Sequence, residues 1–384
     1  MLNIGYNIQC YFLSVLILFS MYHGPLQKSM DPSQPAIDDN ALASIKEQAE
    51  SWVREHNVVG AEILIIKKGN TIFHEAFGWK DKERDIPVEK DTIFRIRSMT
   101  KPMVGTAILM LADQGKLNLE DPVAKYLPAF DHDRSKTITI KQLLHHSGGF
   151  SDPGYPKSLN SYRSLRAAVD DLGRKGPESE PGSEFIYSDG GTATLGALVA
   201  EISKMPVERF LEKYLIHPLK MTDTMPFLSL DDPRRSRVSC TYELEENGEK
   251  FIKYWDNTEP QKLPFFRASG GIYSTPVDYA KFLGMWMNEG LMEGRRYISQ
   301  QNVKAALSPG TIPQYGMHWN LLWEETDGDH EKRTKQLSGL GHLGSDGTLA
   351  FAFPKHEIMI FYFSQSRGGS TSTEFLKMVR ELLK

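Results

Sequence analysis

Ser98-Met99-Thr100-Lys101 places a hydroxyl and an amine three residues apart, and an apolar run, Pro102 to Ala112, follows directly. The run has apolar residues at helical spacing, so it predicts a helix that begins near Ser98. Pro102 fits the first turn, where backbone N–H groups lack an intrahelical partner. Residues i and i+3 share one helix face, so Lys101 can reach the Ser98 hydroxyl. These are the parts of an acyl-transfer site, and a serine hydrolase is the leading hypothesis.

The Ser-x-x-Lys motif is weak evidence by itself, because about one such motif is expected by chance in a chain of this length. Ser98 is, however, the only serine with a lysine three positions later. The chain contains no Gly-x-Ser-x-Gly sequence, which argues against an α/β-hydrolase. The hypothesis therefore depends on further motifs.

Composition indicates an ordinary globular protein that acts on a small molecule. The chain has 384 residues, of which 40% are apolar and 24% are charged, so it can bury a large core in two or three lobes. A net charge of −4 and a pI near 6.3, without a long Lys/Arg block, argue against nucleic-acid binding. Cys10 and Cys240 allow at most one disulfide and form no cluster with zinc-site spacing.

The N-terminus carries the one strongly apolar run of the chain, YFLSVLILFSMY at residues 11–22. It is short for a membrane span and long enough for a signal-peptide core. We expect residues 1–29 to be a signal peptide or membrane tether, which would mean an exported protein. The alternative is a misassigned leader on a cytoplasmic chain that starts at Met30, because no Lys or Arg precedes the run and no small-x-small cleavage site follows it.

Periodicity predicts a helix over residues 40–57 and a hairpin formed by Ala61–Ile66 and Thr71–Phe77. A second hairpin is predicted from Thr348–Phe353 and residues 357–364, and a C-terminal helix follows it. We expect an α/β lobe built from about 40–97 and 265–384, with a mostly helical lobe of about 98–264 inserted into it. Within the insert, the polar residues 231–262 read as an exposed excursion.

Two helix starts carry capping-box patterns, in which an N-cap hydroxyl and the side chain three residues later satisfy each other's backbone N–H groups. Thr139 and Gln142 would begin a helix that runs to His146, with Gly148 as the stop. Thr371 and Glu374 would begin the C-terminal helix.

Two further motifs lie far from Ser98 in sequence. Tyr187-Ser188-Asp189 occupies a loop just before an apolar helix. Gly341-His342-Leu343-Gly344-Ser345 enters the strand at Thr348, where glycines would let a ligand approach the backbone.

The three motifs together resemble the serine β-lactamase-like superfamily, which includes class C β-lactamases, D,D-peptidases and family VIII carboxylesterases. The matching elements are Ser98-x-x-Lys101, Tyr187-x-Asp189 and His342-x-Gly344, in the family's order and approximate spacing. Four framing segments extend the resemblance over residues 40–384: LLHHSGG (143–149), PGSEFIYSDGG (181–191), HPLKMTDT (217–224) and ASGGIYSTPVDYAKF (268–282). It implies a β-lactamase/transpeptidase-like α/β (α+β) fold, with an antiparallel sheet flanked by helices.

The resemblance implies that Ser98 is the nucleophile of an acyl-enzyme and that Lys101 and Tyr187 share its proton. A neutral lysine base at pH 7 requires a pKa depression of about 3 units, or roughly 4 kcal/mol. A Tyr187 phenolate stabilised by charged Lys101 is the alternative, and sequence does not choose between them. The implied oxyanion hole consists of the backbone N–H groups of Ser98 and Ser345.

Asp189, His342 and Gly344 are candidate substrate-binding residues, and two of these positions depart from the family pattern. Asp189 stands where a β-lactamase usually has Asn, and its charge would favour the Lys101 ammonium. His342 and Leu343 stand where penicillin-recognising members usually carry Lys and a hydroxyl residue. We therefore expect small esters as substrates and weak or no β-lactamase activity. Arg367 is a candidate for the missing cation.

No cofactor and no metal are expected. His145-His146 lacks a His-Glu-x-x-His context. The Gly-x-Gly-x-x-Gly pattern at 339–344 precedes a strand, whereas a dinucleotide loop follows one and opens a helix.

Four functions therefore compete. The leading one is hydrolysis of small carboxylic esters. A β-lactamase or a D,D- or D-amino-acid peptidase could use the same site, and so could acyl transfer to an alcohol or amine other than water. A scaffold or self-assembling protein without turnover is the non-enzymatic alternative. The oligomeric state cannot be read from the sequence.

Overall fold

A seven-stranded antiparallel sheet combines strands from both ends of the chain. The computed structural model describes residues 37–151, 159–261, 263–325 and 335–384. The strands, in chain order, are β1 (Gly60–Lys67), β2 (Asn70–Asp81), β3 (Ile86–Pro87), β4 (Phe94–Arg95), β5 (Thr241–Leu244), β6 (Phe251–Trp255), β7 (Tyr273–Ser274), β8 (Leu291–Met292), β9 (Arg295–Arg296), β10 (Asn320–Glu325), β11 (Lys335–Leu343), β12 (Leu349–Phe353), β13 (Ile358–Ser364) and β14 (Ser366–Arg367). The large sheet has the order β10-β11-β12-β13-β1-β2-β3, and the predicted antiparallel sheet is confirmed.

Helices cover this sheet and fill the middle of the chain. They are α1 (Asp39–Arg54), α2 (Thr100–Asp113), α3 (Ile140–Leu144), α4 (Leu165–Lys175), α5 (Asp189–Ser203), α6 (Val207–Leu211), α7 (Pro276–Met287), α8 (Gln300–Ala306) and α9 (Thr371–Leu382). One residue pair on β1 shows the layering: Ile63 packs in the core under α1 and α9, whereas Leu64 packs in the core that contains α2 and α7. Both faces of β1 are therefore buried, which explains the apolar run Ile63–Ile66 within the strand.

Helix α2 lies in the larger core, and every residue from Thr100 to Leu111 is buried. It packs against α5, so the residues at the start of each helix can form one site. The division into two lobes at residues 98 and 264 stays a prediction.

The two predicted capping boxes had different outcomes. The Thr139–Gln142 box is present, but its helix ends at Leu144, and His146 already has a left-handed backbone with φ 54°. The Thr371–Glu374 box is wrong: Ser370 is the N-cap of α9 and makes no side-chain capping bond. The Thr371 hydroxyl instead accepts a 2.9 Å hydrogen bond from the Tyr362 hydroxyl, which is buried and requires an acceptor.

The exposed excursion expected at residues 231–262 is confirmed for residues 246–250, which are exposed, and is wrong where the chain forms strands. Strands β5 and β6 form a small sheet with β14, which comes from the C-terminal end of the chain. Cys240, Tyr242 and Trp255 are buried in this region. The pairing partner lies more than 100 residues away, so local polarity could not reveal it.

Among the described residues, no helix has the length and apolar character needed to cross a membrane. The apolar run at 11–22 and Cys10 lie outside the described residues.

Candidate active site

Ser98 lies in a single 3₁₀ turn, Arg97–Met99, that runs directly into α2. The residue before it, Arg97, has a left-handed backbone with φ 49°, a conformation that typically costs a non-glycine residue about 1–3 kcal/mol. The Arg97 side chain is held by ion pairing with Asp346 and by a 2.5 Å hydrogen bond to the Tyr254 hydroxyl. These contacts stabilise the turn that presents the serine.

Lys101 is fully buried on α2, and its ammonium group donates three hydrogen bonds. The acceptors are Asp189 Oδ1 at 2.6 Å, the Ser269 carbonyl oxygen at 3.1 Å and Ser98 Oγ at 3.2 Å. An ammonium has three donors, and the Lys101 ammonium also has a side-chain hydrogen bond with Tyr187. The amine is thereby fixed beside the serine hydroxyl.

The charge state of Lys101 follows from its neighbours. Burial alone lowers the pKa of Lys101, but the charges of Tyr187 and Asp189 outweigh burial and hold this pKa above its ordinary value. Lys101 is therefore an ammonium at neutral pH. This is the direction expected from an aspartate at position 189.

Asp189 lies between two cations at the start of α5. One carboxylate oxygen accepts from Lys101, and the other accepts from the guanidinium of Arg267. Burial raises the pKa of Asp189, yet the two cations lower it more, so the group stays a carboxylate. The predicted substrate-binding residue is thus engaged by the protein.

Tyr187 lies just before the N-cap of α5, as expected, and 40% of it is exposed. Its ring centroid is 4.6 Å from the Lys101 Nζ and 4.4 Å from the ring of His146. His146 Nδ1 accepts a 3.1 Å hydrogen bond from the Ser188 N–H. His146 therefore positions both the ring and the backbone of the tyrosine loop.

Ser345 lies in the turn between β11 and β12, close to the turn of Ser98. Thr348 Oγ1 donates to the Ile96 carbonyl at 3.2 Å, and a Cβ on Gly344 would lie 2.4 Å from the same oxygen. The backbone N–H groups of Ser98 and Ser345 have no acceptor among the described residues. Both remain available for an oxyanion, and their role stays a prediction.

Gly344 was expected to make room for a ligand, and the structure gives another reason for glycine. A side chain there would collide with the Ile96 backbone and with Thr348 Oγ1. The space beside Gly344 is filled by the protein itself, and its close packing joins β11 to the nucleophile turn. A substrate contact by this residue stays a prediction.

His342 is 2% exposed, and both of its ring nitrogens have partners. Nδ1 donates to the Leu343 carbonyl at 2.7 Å, so Nε2 is the acceptor for the Tyr315 hydroxyl at 3.1 Å. Burial, followed by the charge of Lys101, lowers the pKa of His342 to about 3. It is a neutral residue that packs beside Tyr187, and its role in binding substrate stays a prediction.

Sequence reasoning missed several residues that contact these groups: Arg267, Ser269, Tyr315 and His318. His318 Nδ1 donates to the Lys101 carbonyl at 2.9 Å, and burial lowers its pKa to about 3. Arg267 stands just before the framing segment ASGG, which was the one available signal. His146 belongs to the framing segment LLHHSGG, but its contact with the Tyr187 ring was not predicted.

Within the described ranges, one group could offer three metal ligands: Asp81, Cys240 and Asp256. Lys253 Nζ lies 2.7 Å from Asp81 and 3.3 Å from Asp256, and the Arg84 guanidinium lies 3.0 Å and 2.6 Å from the same two residues, so two cations already pair with these carboxylates. The expectation that no metal or cofactor takes part stays a prediction.

The family model described as "Beta-lactamase" matches residues 39–382 of this chain. The chain belongs to the beta-lactamase family. Its members are serine hydrolases, and the position of Ser98 beside Lys101 fits that chemistry. The expected resemblance is therefore confirmed at the level of family and fold.

Relatives of this beta-lactamase family chain include a putative D-alanyl-D-alanine carboxypeptidase from Escherichia coli (strain K12). The two are 26% identical over 354 residues, covering 83% of this chain and 81% of the relative. Protein Rv1367c of Mycobacterium tuberculosis (strain ATCC 25618 / H37Rv) is 28% identical over 295 residues, covering 69% of this chain and 70% of the relative.

Two solved structures show the same fold. The octameric penicillin-binding protein homologue from Pyrococcus abyssi superposes with a TM-score of 0.73 at 23% identity, covering 90% of this chain and 77% of that one. EstCE1, described as a hydrolase with promiscuous acyltransferase activity, superposes with a TM-score of 0.73 at 20% identity, covering 91% and 100%. At these identities the likeness supports the beta-lactamase fold alone.

Proposed function

We propose that this protein hydrolyses small carboxylic esters through an acyl-enzyme on Ser98. The observation that carries the proposal is the contact of the buried Lys101 ammonium with Ser98 Oγ at 3.2 Å. A charged donor at this distance stabilises the alkoxide that forms when the serine loses its proton.

The base in this proposal is Tyr187. Lys101 is already protonated, because its neighbours hold its pKa above the ordinary value, and an ammonium has no lone pair to accept a proton. The Tyr187 ring lies 4.6 Å from the ammonium, which stabilises a phenolate. As Ser98 Oγ attacks the carbonyl carbon, its proton passes to the Tyr187 oxygen.

The remaining steps release the alcohol and the acid and return Ser98 and Tyr187 to their starting states. The tetrahedral intermediate collapses with cleavage of the ester C–O bond, and the leaving alcohol takes the proton from Tyr187. Water then attacks the acyl-enzyme and gives its proton to Tyr187, and Ser98 Oγ recovers that proton when the acid leaves. The N–H groups of Ser98 and Ser345 would hold the carbonyl oxygen throughout, and such donors contribute about 3–4 kcal/mol each.

Neutral His342 supports esters over β-lactams. A β-lactam carries a carboxylate that penicillin-recognising members hold with a lysine and a hydroxyl, as the resemblance implies. Here a histidine whose pKa is lowered to about 3 and Leu343 stand in those places. Asp189, an acceptor engaged by Lys101 and Arg267, also lacks the amide N–H donors of an asparagine.

A D,D-peptidase is the second candidate, and the name of the Escherichia coli relative favours it. Transfer of the acyl group to an added alcohol is a variation of the same mechanism, favoured by the description of EstCE1. Product analysis with and without methanol separates transfer from hydrolysis, because transfer yields a methyl ester.

The test compares initial rates of the full chain and its Ser98→Ala variant on five substrates. These are the p-nitrophenyl esters of acetate, butyrate and octanoate, nitrocefin, and a peptide that ends in D-alanyl-D-alanine. We expect turnover of a short ester that is lost in Ser98→Ala. Nitrocefin or peptide turnover equal to the best ester would contradict the proposed preference.

A further inference from the structure

A cavity of about 260 Å³ lies directly beside the nucleophile turn. Four arginines line it: Arg95, Arg97, Arg267 and Arg367. None of the described residues that line it is an aspartate or a glutamate. Such a concentration of guanidinium groups around one cavity creates a positive potential that attracts anions.

The nearby carboxylates do not neutralise these arginines. Asp346 is shared between Arg97 and Arg367, and Asp189 is shared between Lys101 and Arg267. Half-exposed Glu243 lies 3.9 Å from Arg367. Among the residues that the structure describes, cations therefore outnumber anions around the cavity, even with these three carboxylates counted.

Arg95 has no carboxylate partner in the described part of the chain. Its guanidinium lies 4.5 Å from the ring centroid of Trp255 and 6.0 Å from that of Tyr273. No side-chain hydrogen bond of Arg95 occurs within the described ranges. Arg95 is partly buried, and removing a charge from water without a counter-ion is costly, so an anionic ligand at this guanidinium would lower that cost.

The cavity shares residues with the reaction site. Arg97 precedes Ser98 in the chain, and the Gly270 backbone packs against the Arg97 backbone. Gly270 also follows Ser269, whose carbonyl oxygen accepts from Lys101. A substrate whose carbonyl lies at Ser98 can therefore extend a second group into the cavity.

We propose that this cavity binds a carboxylate or phosphate group carried by the substrate, which makes the preferred ester an anionic one. The inference rests on the proposed ester hydrolysis and names its substrate class. Arginine can bind either group, because its planar guanidinium donates two parallel hydrogen bonds to a carboxylate or to a phosphate. The cavity volume corresponds to about eight water molecules, room for an oxyanion on a short chain, and Phe266 and Trp255 supply an apolar wall.

The test measures a ratio of kcat/KM for two p-nitrophenyl esters of one chain length. Mono-p-nitrophenyl glutarate carries the terminal carboxylate, and its methyl ester is the neutral partner. We expect the wild-type chain to prefer the anionic ester by about tenfold or more, since hydrogen bonds to charged groups are worth that much. Arg95→Gln should bring the ratio close to one, mainly by raising KM for the anionic ester.

Arg380→Gln is the matched control, because it removes one positive charge from the exposed surface of α9. This variant should keep the wild-type ratio. The wild-type ratio should also fall as NaCl is raised from 20 to 500 mM, a readout that needs no variant. A wild-type ratio near one, or a ratio unchanged in Arg95→Gln, would overturn the proposal.

Calorimetric titration of the full-length Ser98→Ala chain with glutarate and with inorganic phosphate separates the two proposals. If no ester is turned over but Arg95-dependent binding of glutarate persists, the ester function fails and the anion site stands. If phosphate binds and the ester ratio is near one, the cavity holds a free anion and the assignment to the substrate fails.

Discussion

Two carboxylates near Ser98 each bridge a pair of cations, and they have different roles. Asp189 joins Arg267 to the Lys101 ammonium, which contacts the nucleophile. Asp346 joins two guanidinium groups, those of Arg97 and Arg367, and contacts no reacting atom. Their side chains are 14% and 1% exposed.

The difference lies in what each carboxylate controls. Asp189 acts on a titrating group, since it helps to hold the pKa of Lys101 above its ordinary value. Asp346 acts on geometry, because its partner Arg97 carries the left-handed backbone that precedes Ser98. The Asp189 bridge therefore sets the charge state of Lys101. The Asp346 bridge stabilises the shape of the turn that carries Ser98.

Lys101→Met is the substitution with the largest expected effect on activity and tests the charge side of the comparison. It removes the only ammonium that contacts Ser98 among the described residues, so we expect kcat on the best ester to fall about a thousandfold. Steady-state kinetics on purified protein measures the loss. Lys101→Arg keeps the charge with a different shape and should not restore the rate, since its planar group cannot reproduce three converging bonds. Retention of a tenth of the wild-type rate in Lys101→Met would contradict this role.

Asp346→Asn tests whether Asp346 stabilises the turn that carries Ser98. It leaves Arg97 and Arg367 without their shared counter-charge, and breaking a buried ion pair costs about 3–5 kcal/mol. We expect the free energy of unfolding to fall by that order, as measured by urea denaturation. Arg367→Gln, which removes a half-buried partner, should cost less. Equal stability of Asp346→Asn and the wild-type protein would contradict this structural role of Asp346.

Asp189→Asn should change the pH dependence of activity. The pKa of Lys101 is raised in the folded protein, so the ammonium persists at pH values below that raised pKa and is lost above it. Removing the Asp189 charge lowers the pKa of Lys101, and the alkaline fall in kcat/KM should move to lower pH. A pH–rate profile from pH 6 to 11 measures the shift. An unchanged alkaline limb would show that another group titrates there.

Ser345→Ala should have the smallest effect, less than about threefold in kcat. Among the described residues, the Ser345 hydroxyl has a single 3.5 Å contact, with Asp346. The proposed oxyanion donor is its backbone N–H, which alanine keeps. Ser345→Pro removes that N–H and should lower kcat by about a hundredfold or more. Equal kinetics in the two variants would exclude this residue from the oxyanion hole.

Local patterns predicted much of this fold. The Ser98 turn and its apolar helix, the hairpin of β1 and β2, and the Tyr187 loop before α5 are all readable from spacing over a few residues. Each depends on interactions within one element or between sequence neighbours. Such interactions can be recognised from the spacing of residues in the sequence.

The parts that sequence did not predict depend on distant contacts. Arg97 and Asp346 are 249 positions apart, and β5 acquires its partner β14 from the end of the chain. His342 could be placed beside the site from its motif, but its low pKa arises from burial that only the packed structure provides. Charge state and counter-ion pairing were therefore accessible only with the fold.

The most direct test of the central claim is the mass of the intact protein after a rapid quench with p-nitrophenyl butyrate. The account predicts a covalent adduct equal to one butyryl group on the wild-type chain and on Ser345→Ala, and no adduct on Ser98→Ala. Peptide mapping should place it on the Ser98 side chain. An adduct that survives in Ser98→Ala, or ester turnover that does so, would contradict the proposed acyl-enzyme.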